Sequence, residues 1–280
     1  MDQAAIEEIV RQSRSNLAMT LICLPKEARK DMQLFYAFCR IVDDIADEPG
    51  RTDDQKRIEL QRWNEVVGGN PEQLNPMEIA IHSMMQRRNI PAEEMQGIIQ
   101  GVSMDIEPRR FATWEELKSY CHGVASCVGL VSIRIFGCRM EASTAYAEQL
   151  GYALQLTNIL RDVGQDLQEN GRIYLPQEDL DQFGVTAEDL RERRMTDSFL
   201  RLMQFETKRA RELYASALAN LTKEDKPRLR AAETMRRVYS RVLDLMEKDG
   251  FRVFDKRYRV STPGKLYFLA RAVIGGWLGR

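Results

Sequence analysis

Apolar residues recur every three or four positions through most of the chain, which is the spacing of an amphipathic helix. No stretch shows the alternation of apolar and polar residues that is typical of a strand. The predicted helices run from Pro25 to Pro49, Asp53 to Gly68, Met77 to Arg88, Pro91 to about Glu107, Trp114 to Phe136, Leu150 to Asn170, Ala187 to Arg194, Phe199 to Leu221 and Pro227 to Lys248. The pattern therefore predicts an all-α protein.

Polar residues in the stretch from Leu150 to Leu175 fall on one narrow stripe of its helix. At about 100° per residue, the stripe contains Gly151, Gln155, Asn158, Asp162 and Asp166. The opposite side carries Ala153, Leu156, Leu160, Val163 and Leu167. A solvated acidic face is the simpler explanation of the stripe. A metal site is the more specific explanation of the stripe. Its side chains offer oxygen ligands and no lysine, which suits a hard divalent ion such as Mg²⁺.

A second pair of aspartates four residues apart, Asp43 and Asp47, lies in the first long helix. Carboxylates at this spacing repel each other by a few tenths of a kcal/mol in an isolated helix, unless a cation lies between them. Tyr36 and Arg40 fall on the same face, whereas Asp44 points about 100° away and is expected to be exposed or to act indirectly. Two helices thus each offer a paired-carboxylate face.

Composition and charge narrow the class of protein. With 280 residues and 44% apolar content, the chain can bury a large core, and one domain spanning residues 1 to 280 is expected. Interspersed acidic and basic residues, with a net charge of −1, give no electrostatic basis for nucleic-acid binding. The five cysteines form no CxxC pair, which favours reduced thiols and the cytosol. No run of about 18 uncharged apolar residues is present, so no membrane span is expected.

The helix from Trp114 to Phe136 has an unusually slim middle. Thr113 and Glu116 predict a capping box at its start, and Gly137 ends it. Small residues lie at its centre, at Gly123, Ala125, Ser126 and Gly129. Tight packing against another helix and a channel for an apolar ligand are equally good explanations.

The last thirty residues are first basic and then apolar. Lys256, Arg257, Arg259 and Lys265 are suited to an anion or to lipid head groups. The segment from Leu266 to Leu278 is either an amphipathic surface helix or a last core helix.

Two acidic helices that face one cavity would repel a bare diphosphate, which carries about three negative charges at neutral pH. Divalent ions between carboxylates and phosphate oxygens would neutralise both and assist ionisation of the C–O bond. The allylic cation formed needs a dry cavity, and Tyr120 offers it a ring or a hydroxyl group. Additional phosphate donors are expected at Arg40, Arg161, Arg172 and Arg257.

Four segments together resemble the squalene/phytoene synthase family: DDIAD from Asp43, NILRDVGQD from Asn158, YCHGVASCVGL from Tyr120 and GRIYLP from Gly171. The resemblance extends from about Ser15 to Ser261. It implies an all-α isoprenoid synthase fold around a central cavity, and head-to-head joining of two prenyl diphosphates with Mg²⁺ held by two aspartate-rich motifs. DDIADEPG and MDIEPRRF are most similar to the bacterial presqualene diphosphate synthases of hopanoid and squalene biosynthesis.

The resemblance also implies roles for single residues. The implied metal ligands are Asp43, Asp47, Asn158, Asp162 and Asp166. The implied catalytic residues are Tyr120, Asp43, Asp47, Asp162 and Arg161. The implied substrate-binding residues are Arg40, Tyr36, Leu17, Val124, Val128, Gln155, Arg172, Tyr239 and Arg257. Leu17 stands where the family is expected to have an aromatic residue, which leaves the control of chain length open.

The expected reaction is the 1'-1 condensation of two farnesyl diphosphates to presqualene diphosphate with release of diphosphate. Onward conversion to squalene or hydroxysqualene and the use of NADPH are left open. The alternatives are a phytoene synthase acting on geranylgeranyl diphosphate, a terpene cyclase or chain-elongating prenyltransferase, and a non-catalytic helical scaffold or metal buffer. About two or three Mg²⁺ ions are expected with the bound diphosphate. A cytoplasmic location is expected, with peripheral contact at the inner face of the membrane and contact with downstream isoprenoid enzymes left open.

Overall fold

The computed structural model describes residues 20–48, 50–69, 73–107 and 109–277, and every regular element within these ranges is helical. The helices are α1 (Lys26–Asp47), α2 (Asp53–Gly68), α3 (Pro76–Arg88), α4 (Ala92–Ser103), α5 (Trp114–Cys121), α6 (Cys127–Phe136), α7 (Ala142–Asn170), α8 (Gln177–Phe183), α9 (Ala187–Arg191), α10 (Asp197–Ala219), α11 (Arg230–Lys248) and α12 (Thr262–Trp277). A 3-10 turn, Leu21–Cys23, precedes α1, and a π-helical segment, His122–Ser126, joins α5 to α6. The all-α prediction is confirmed.

Several helices start at side chains that accept hydrogen bonds from otherwise free backbone N–H groups. Thr52 and Asn75 cap α2 and α3, each in a reciprocal capping box. The box predicted at Thr113 is only half present. Thr113 accepts a hydrogen bond from the Glu116 N–H, but the Glu116 carboxylate accepts one from the N–H of Ala112 at 2.7 Å, one residue before the cap.

The predicted boundaries are wrong by a few residues around α4, α9, α10 and α11, and α7 begins at Ala142, eight residues before the predicted Leu150. The α9 helix ends before Arg193, which adopts a left-handed φ of 53° and stops helix propagation. Between α10 and α11, the fully buried Asp225 carboxylate accepts hydrogen bonds of 2.8 Å from the N–H groups of Arg139 and Met140 and from the Ser143 hydroxyl. These bonds hold the loop in turns against the start of α7, so neither helix continues through it.

The α7 helix lies at the centre of the packing, and its most extensive contact is with α10. Its predicted apolar side is confirmed, because Ala153, Leu156, Leu160 and Val163 are buried and Leu167 packs against the same cluster. This cluster is built mainly from α7, α10 and α11, and a second cluster lies among α1 to α4. The α5–α6 helix contributes to both clusters and therefore separates the two halves of the core.

Close backbone contacts explain the small residues of the α5–α6 helix. A Cβ atom at Gly101 of α4 would lie 2.8 Å from the Cα atom of Gly123, and one at Gly151 of α7 would lie 2.5 Å from the Cα atom of Ser126. Both distances are shorter than real Cβ contacts. Packing against α4 on one side and α7 on the other therefore accounts for the small residues. The π-helical segment lies where these two helices cross the α5–α6 helix.

The continuous helix from 114 to 136 is the one stretch, among the described residues, that is long and apolar enough to cross a membrane. Half of it is buried inside the protein, and its Tyr120, Cys127 and Val131 side chains belong to the two clusters. Burial of this kind is typical of a core helix in a soluble protein.

We expect Gly101→Ala to lower the free energy of unfolding by about 1–3 kcal/mol, because the new methyl group meets the backbone of Gly123 rather than a side chain that can move. Gly50→Ala is the matched control, since no atom lies within 4 Å of the added Cβ there. The control should change stability by less than about 0.5 kcal/mol. Urea unfolding followed by circular dichroism measures both, and equal midpoints for the two variants would contradict the proposed backbone contact.

Candidate active site

A cavity of about 250 Å³ opens between α1, α4, the α5–α6 helix and α7. Its wall brings together seven of the residues that the sequence predicts for substrate binding or catalysis: Tyr36, Arg40, Asp43, Tyr120, Val124, Val128 and Gln155. Ile98 and Val102 of α4 add an apolar side, and Asp105 adds a carboxylate that was not predicted. Residues far apart in the chain thus meet at one site.

The first acidic pair lies at the α1 side of this cavity. Arg40 contacts the Asp43 carboxylate at 3.0 Å and the exposed Asp44 carboxylate at 2.7 Å. Burial, and then the negative charge of Asp47, raise the pKa of Asp43 to about 6. The Asp47 side chain is itself more than half exposed, at 57%. The pair therefore combines one half-buried and one solvent-facing carboxylate.

The second acidic pair begins at Asp162, which two guanidinium groups hold. Arg161 contacts both carboxylate oxygens, and Arg257 does the same at 2.8 and 2.9 Å. Arg161 in turn lies over the ring of Tyr239, 6.0 Å from its centre. Gly164 lets the segment before Arg257 approach α7, because a Cβ there would lie 2.5 Å from the Val253 carbonyl oxygen. Four predicted residues, Arg161, Asp162, Tyr239 and Arg257, are thus brought together.

Arg172 connects the two acidic helices. Its guanidinium lies 3.8 Å from the Asp47 carboxylate of α1 and donates a 2.6 Å hydrogen bond to the backbone carbonyl of Asp105. Burial and the charge of Asp162 raise the pKa of Asp166, and the positive charge of Arg172 offsets part of this rise. The resulting pKa is about 7. A predicted phosphate donor therefore already lies between the two carboxylate pairs.

Asn158, one helical turn before Asp162, carries a polar atom without a partner. Its Nδ2 donates to Gln155 Oε1 at 3.3 Å, but its Oδ1 is buried and accepts no hydrogen bond. A buried acceptor left unpaired costs about 1–3 kcal/mol. A ligand or cation that approaches this oxygen would remove the cost.

The residues fit a magnesium site by their chemistry, although they do not form a complete one by themselves. Among the described residues, no three carboxylate, imidazole or thiol groups lie close enough together to hold a metal ion. The unpaired Asn158 oxygen and the raised pKa values of Asp43 and Asp166 are features that a divalent cation would relieve. Mg²⁺ usually takes only one or two carboxylates and completes its shell with phosphate and water. The five metal ligands stay a prediction.

Asp105 is the functional residue that the sequence reasoning missed. It follows α4 and accepts 2.8 Å hydrogen bonds from the hydroxyl groups of Tyr120 and Tyr174. The two rings stack at 5.4 Å, and Phe111 packs against both. Burial raises the pKa of Asp105, although the two tyrosine hydrogen bonds and Arg172 oppose this shift. Burial and the Asp105 charge hold the pKa of Tyr120 well above its ordinary value, so its hydroxyl keeps its proton.

A second, strongly apolar cavity of about 140 Å³ lies between α6, α7 and α11. Ala125 and Gly129, two of the small residues of the slim helix, line it, so an apolar cavity lies on this third side. Phe136, Tyr146 and Met235 are large side chains in its wall. Val128 lines both this cavity and the polar one.

Two other sequence predictions concern Leu17 and the cysteines. Leu17 lies outside the described residues. The five cysteines are free, and burial raises the pKa of the Cys121 and Cys39 thiols. His122 contacts the Tyr152 hydroxyl at 3.1 Å.

The helices surround these two cavities in the arrangement of the all-α isoprenoid synthases. A crystal structure of a dehydrosqualene synthase in complex with ligand matches with a TM-score of 0.81 and 28% identity, covering 99% of this chain and 96% of that chain. Squalene synthase HpnC from Alicyclobacillus acidocaldarius matches with a TM-score of 0.77 and 29% identity, covering 89% of this chain and 94% of that chain.

The sequence profile described as squalene/phytoene synthase matches residues 10–264, and the chain belongs to this family. Among curated relatives, 15-cis-phytoene synthase from Synechocystis sp. is 32% identical over 282 residues, covering 94% of this chain and 82% of the relative. The resemblance predicted from the sequence is confirmed. The protein is a prenyltransferase of a family that joins prenyl diphosphates head to head.

We expect Mg²⁺ with inorganic pyrophosphate to raise the melting temperature more at pH 8 than at pH 6. Protons compete with the metal for Asp43 and Asp166, whose pKa values are about 6 and about 7. Lowering the pH through this range therefore protonates the proposed ligands and weakens binding. Differential scanning fluorimetry with and without the two ligands measures the shift at each pH.

Pyrophosphate also binds protons in this range, so the deciding comparison is between variants. Asp166→Asn should lose most of the stabilisation at pH 8. Asp54→Asn, at a side chain that is 90% exposed on α2, should behave as the wild type. Stabilisation of Asp166→Asn equal to that of the control would remove Asp166 from the set of ligands.

We expect Asp105→Asn to lower kcat by about a hundredfold while changing KM little. The substitution keeps the shape of the side chain, but it removes the carboxylate that accepts hydrogen bonds from Tyr120 and Tyr174. Asp181→Asn, at an exposed position on α8, is the control. Steady-state and single-turnover rates measure the effect, and a kcat within threefold of the control, a margin of about 0.6 kcal/mol, would contradict a role in the chemical step.

Proposed function

We propose that this enzyme joins two farnesyl diphosphates head to head to give presqualene diphosphate, with Mg²⁺ as its metal. The observation that carries the proposal is that a polar and an apolar cavity share Val128 in their walls. A ligand with a charged head and an apolar tail matches this pair of cavities. Arginine and aspartate side chains surround the head, and aliphatic and aromatic side chains surround the tail.

The arginines bind and orient the diphosphate groups in this proposal. Arg40 and Arg257 are paired with Asp43 and Asp162, and phosphate oxygens compete for them with the same charge-assisted geometry. Arg172 lies between the acidic helices, next to Asp47, and is a further donor for a diphosphate there. Mg²⁺ held by Asp43, Asp47, Asn158, Asp162 and Asp166 would supply charge neutralisation and Lewis-acid assistance to loss of the leaving group.

The Tyr120 and Asp105 pair handles the proton in this proposal. Breaking the C–O bond of the first substrate releases its diphosphate and leaves an allylic cation. The double bond of the second substrate attacks this cation, and loss of one proton closes the cyclopropane ring. Tyr120 Oη accepts this proton and passes its own to Asp105 Oδ2, 2.8 Å away. Ile98, Val102 and Val124 exclude water that would otherwise capture the cation.

The apolar cavity must enlarge for either tail, and it must enlarge less for a C15 than for a C20 tail. Its volume of about 140 Å³ is close to that of a cavity of about 150 Å³ that holds one benzene molecule, which is slightly more than one isoprene unit. Each further unit must extend past large side chains such as Phe136 and Met235. The dehydrosqualene synthase and squalene synthase names of the solved relatives support the same choice.

The second candidate is a phytoene synthase that condenses two geranylgeranyl diphosphates. Curated relatives at 32%, 31% and 30% identity are phytoene synthases, from Synechocystis sp., Synechococcus elongatus and Arthrospira platensis. Their similarity covers 94% or 95% of this chain. A C20 tail requires the apolar cavity to open beyond its present wall.

Location and domain organisation belong to the same proposal. The free thiols, two of them buried and three partly buried, support a reducing cytoplasmic environment. The proposal includes one domain spanning residues 1 to 280. It does not extend to onward conversion to squalene or hydroxysqualene, nor to NADPH use. Product analysis with a single prenyl diphosphate separates it from a terpene cyclase or a chain-elongating enzyme.

We expect an equal mixture of farnesyl and geranylgeranyl diphosphates with Mg²⁺ to give mainly the C30 product. The shorter tail needs less enlargement of the apolar cavity, and one isoprene unit contributes enough apolar contact for about tenfold or greater discrimination. Mass spectrometry of the products measures the ratio. Phe136→Ala should shift the ratio toward C40, whereas Phe205→Ala, in the distant contact with Phe183, should not. A mainly C40 product from the wild type would favour the phytoene synthase alternative.

A further inference from the structure

A buried ion-pair cluster lies where α8 meets α10, outside the walls of the two cavities. Arg209 of α10 donates hydrogen bonds to both carboxylate oxygens of Asp179 in α8, at 2.8 and 3.3 Å. The same guanidinium lies 2.8 Å from both carboxylate oxygens of Glu206, one turn earlier on α10. The Asp179 and Glu206 side chains are 3% and 0% exposed. Two buried carboxylates thus share one guanidinium.

The cluster balances its charge by keeping one proton. Burial raises the pKa of Glu206 to about 8, and the Asp179 carboxylate adds to this rise while Arg209 opposes it. At neutral pH Glu206 is therefore mostly protonated. The charged pair that joins α8 to α10 is Asp179 with Arg209.

Arg209 also stabilises the contact between the start of α8 and the chain that leads into α5. Three hydrogen bonds join these two segments, from Gln177 N–H to the Phe111 carbonyl at 2.8 Å, from Glu178 N–H to the Ala112 carbonyl at 3.0 Å and from Trp114 N–H to the Glu178 carboxylate at 2.6 Å. The Arg209 guanidinium lies over the Trp114 ring, 4.6 Å from its centre. One side chain of α10 therefore fastens both segments.

The start of α8 fixes one end of the segment that carries Arg172 and Tyr174 into the active site. The other end is held at Arg172, whose N–H donates to the Asp166 carbonyl of α7 at 3.1 Å. Between these ends, within the described part of the chain, the backbone of residues 173–175 makes no hydrogen bond to protein. The side chains on either side of Tyr174 are buried, but apolar contact is not directional. The hydrogen-bonded ends therefore decide where the Tyr174 hydroxyl lies.

We propose that Arg209 is a positioning residue, which fixes the start of α8 and so holds the Tyr174 hydroxyl at the Asp105 carboxylate. Tyr174 lies five residues before Asp179 in the chain. Its hydroxyl donates a 2.8 Å hydrogen bond to Asp105 Oδ1, while Tyr120 donates to Oδ2. A shift of α8 removes the first bond and lets the carboxylate turn away from Tyr120. The effect on catalysis rests on the proposed transfer of a proton to Asp105, whereas the position of Tyr174 does not.

A matched pair of isosteric variants tests this proposal. Asp179→Asn removes the charge through which Arg209 holds α8, and Glu206 then serves as the carboxylate for the guanidinium. Glu206→Gln is the control, because glutamine resembles the protonated side chain that it replaces and leaves the Asp179 pair intact. Each variant keeps one carboxylate beside Arg209, so neither leaves a buried charge unpaired. Circular dichroism checks the fold of both.

Nuclear magnetic resonance measures the position of the Tyr174 hydroxyl without any turnover. A ¹³C label on the tyrosine ring carbon that bears the hydroxyl reports on its hydrogen bond, and Tyr174→Phe assigns the signal. The Tyr174 signal should shift in Asp179→Asn and stay in place in Glu206→Gln. An unchanged signal in Asp179→Asn, or equal shifts in both variants, would overturn the proposal.

Kinetics with a prenyl diphosphate substrate test the consequence for the reaction. Asp179→Asn should lower kcat by about tenfold with little change in KM, because the misplaced group acts in the chemical step. Tyr174→Phe should lower kcat at least as much, and the double variant should match Tyr174→Phe, because Asp179 acts through Tyr174. Losses that multiply in the double variant would show another route and overturn the proposal. A wild-type kcat in Tyr174→Phe, together with the shifted signal in Asp179→Asn, would keep the positioning and remove the proposed proton transfer.

A milder variant decides the question if Asp179→Asn does not fold. Arg209→Lys keeps the charge, but it lacks the planar fork that reaches both oxygens of Asp179. Arg211→Lys, on the same helix among acidic side chains that are 44% and 41% exposed, is its control. The first variant should shift the Tyr174 signal and lower kcat, and the second should do neither. The same result for both variants would contradict a positioning role for Arg209.

Discussion

The carboxylates of α1 and α7 can share one region because guanidinium groups lie between them. Two unit charges about 4 Å apart interact by several kcal/mol at the effective dielectric constant of a protein surface, so unpaired carboxylates at this density would repel each other strongly. Arg172 reaches Asp47 and the backbone of Asp105, and Arg257 holds Asp162. The residues that would bind diphosphate therefore already stabilise the empty site.

This arrangement has a consequence for how a ligand enters. A diphosphate alone would take Arg257 from Asp162 and leave that carboxylate paired with Arg161 only. Divalent cations that came with the diphosphate would compensate the aspartate charges that the guanidinium groups now balance.

The close approach of three helices at the π-helical segment decides where the chemistry can occur. Gly101 allows α4 to touch the backbone at Gly123, and Asp105 follows Gly101 by about one helical turn. Tyr120 precedes Gly123 by about one turn on the neighbouring helix. The same contact therefore brings the Asp105 carboxylate to the Tyr120 hydroxyl. A bulkier residue at either glycine would separate the pair as well as the helices.

The sequence by itself determined the helices and the faces that their polar residues share. Spacing within a helix is rigid, so Asp43 and Asp47, or Asn158 and Asp162, lie on one side whatever the rest of the chain does. The family motifs were equally readable, because each is a short continuous segment. The capping box at Thr113 and the ends of α9 to α11 were less predictable, since small differences in local hydrogen bonding move a helix end by a few residues.

Only the tertiary structure decided which of these faces meet. The contacts of Arg257 with Asp162 and of Tyr174 with Asp105 join residues 95 and 69 positions apart, and helix packing, not local spacing, sets them. Asp105 gave no periodic signal because it lies in the turn after α4, and the one signal for it was its place in the family-like segment MDIEPRRF. The small residues of the slim helix likewise had two good explanations until packing showed backbone contacts on two sides and an apolar cavity on the third. Contacts between distant segments depend on how whole helices fill space, and that is a property of the folded chain.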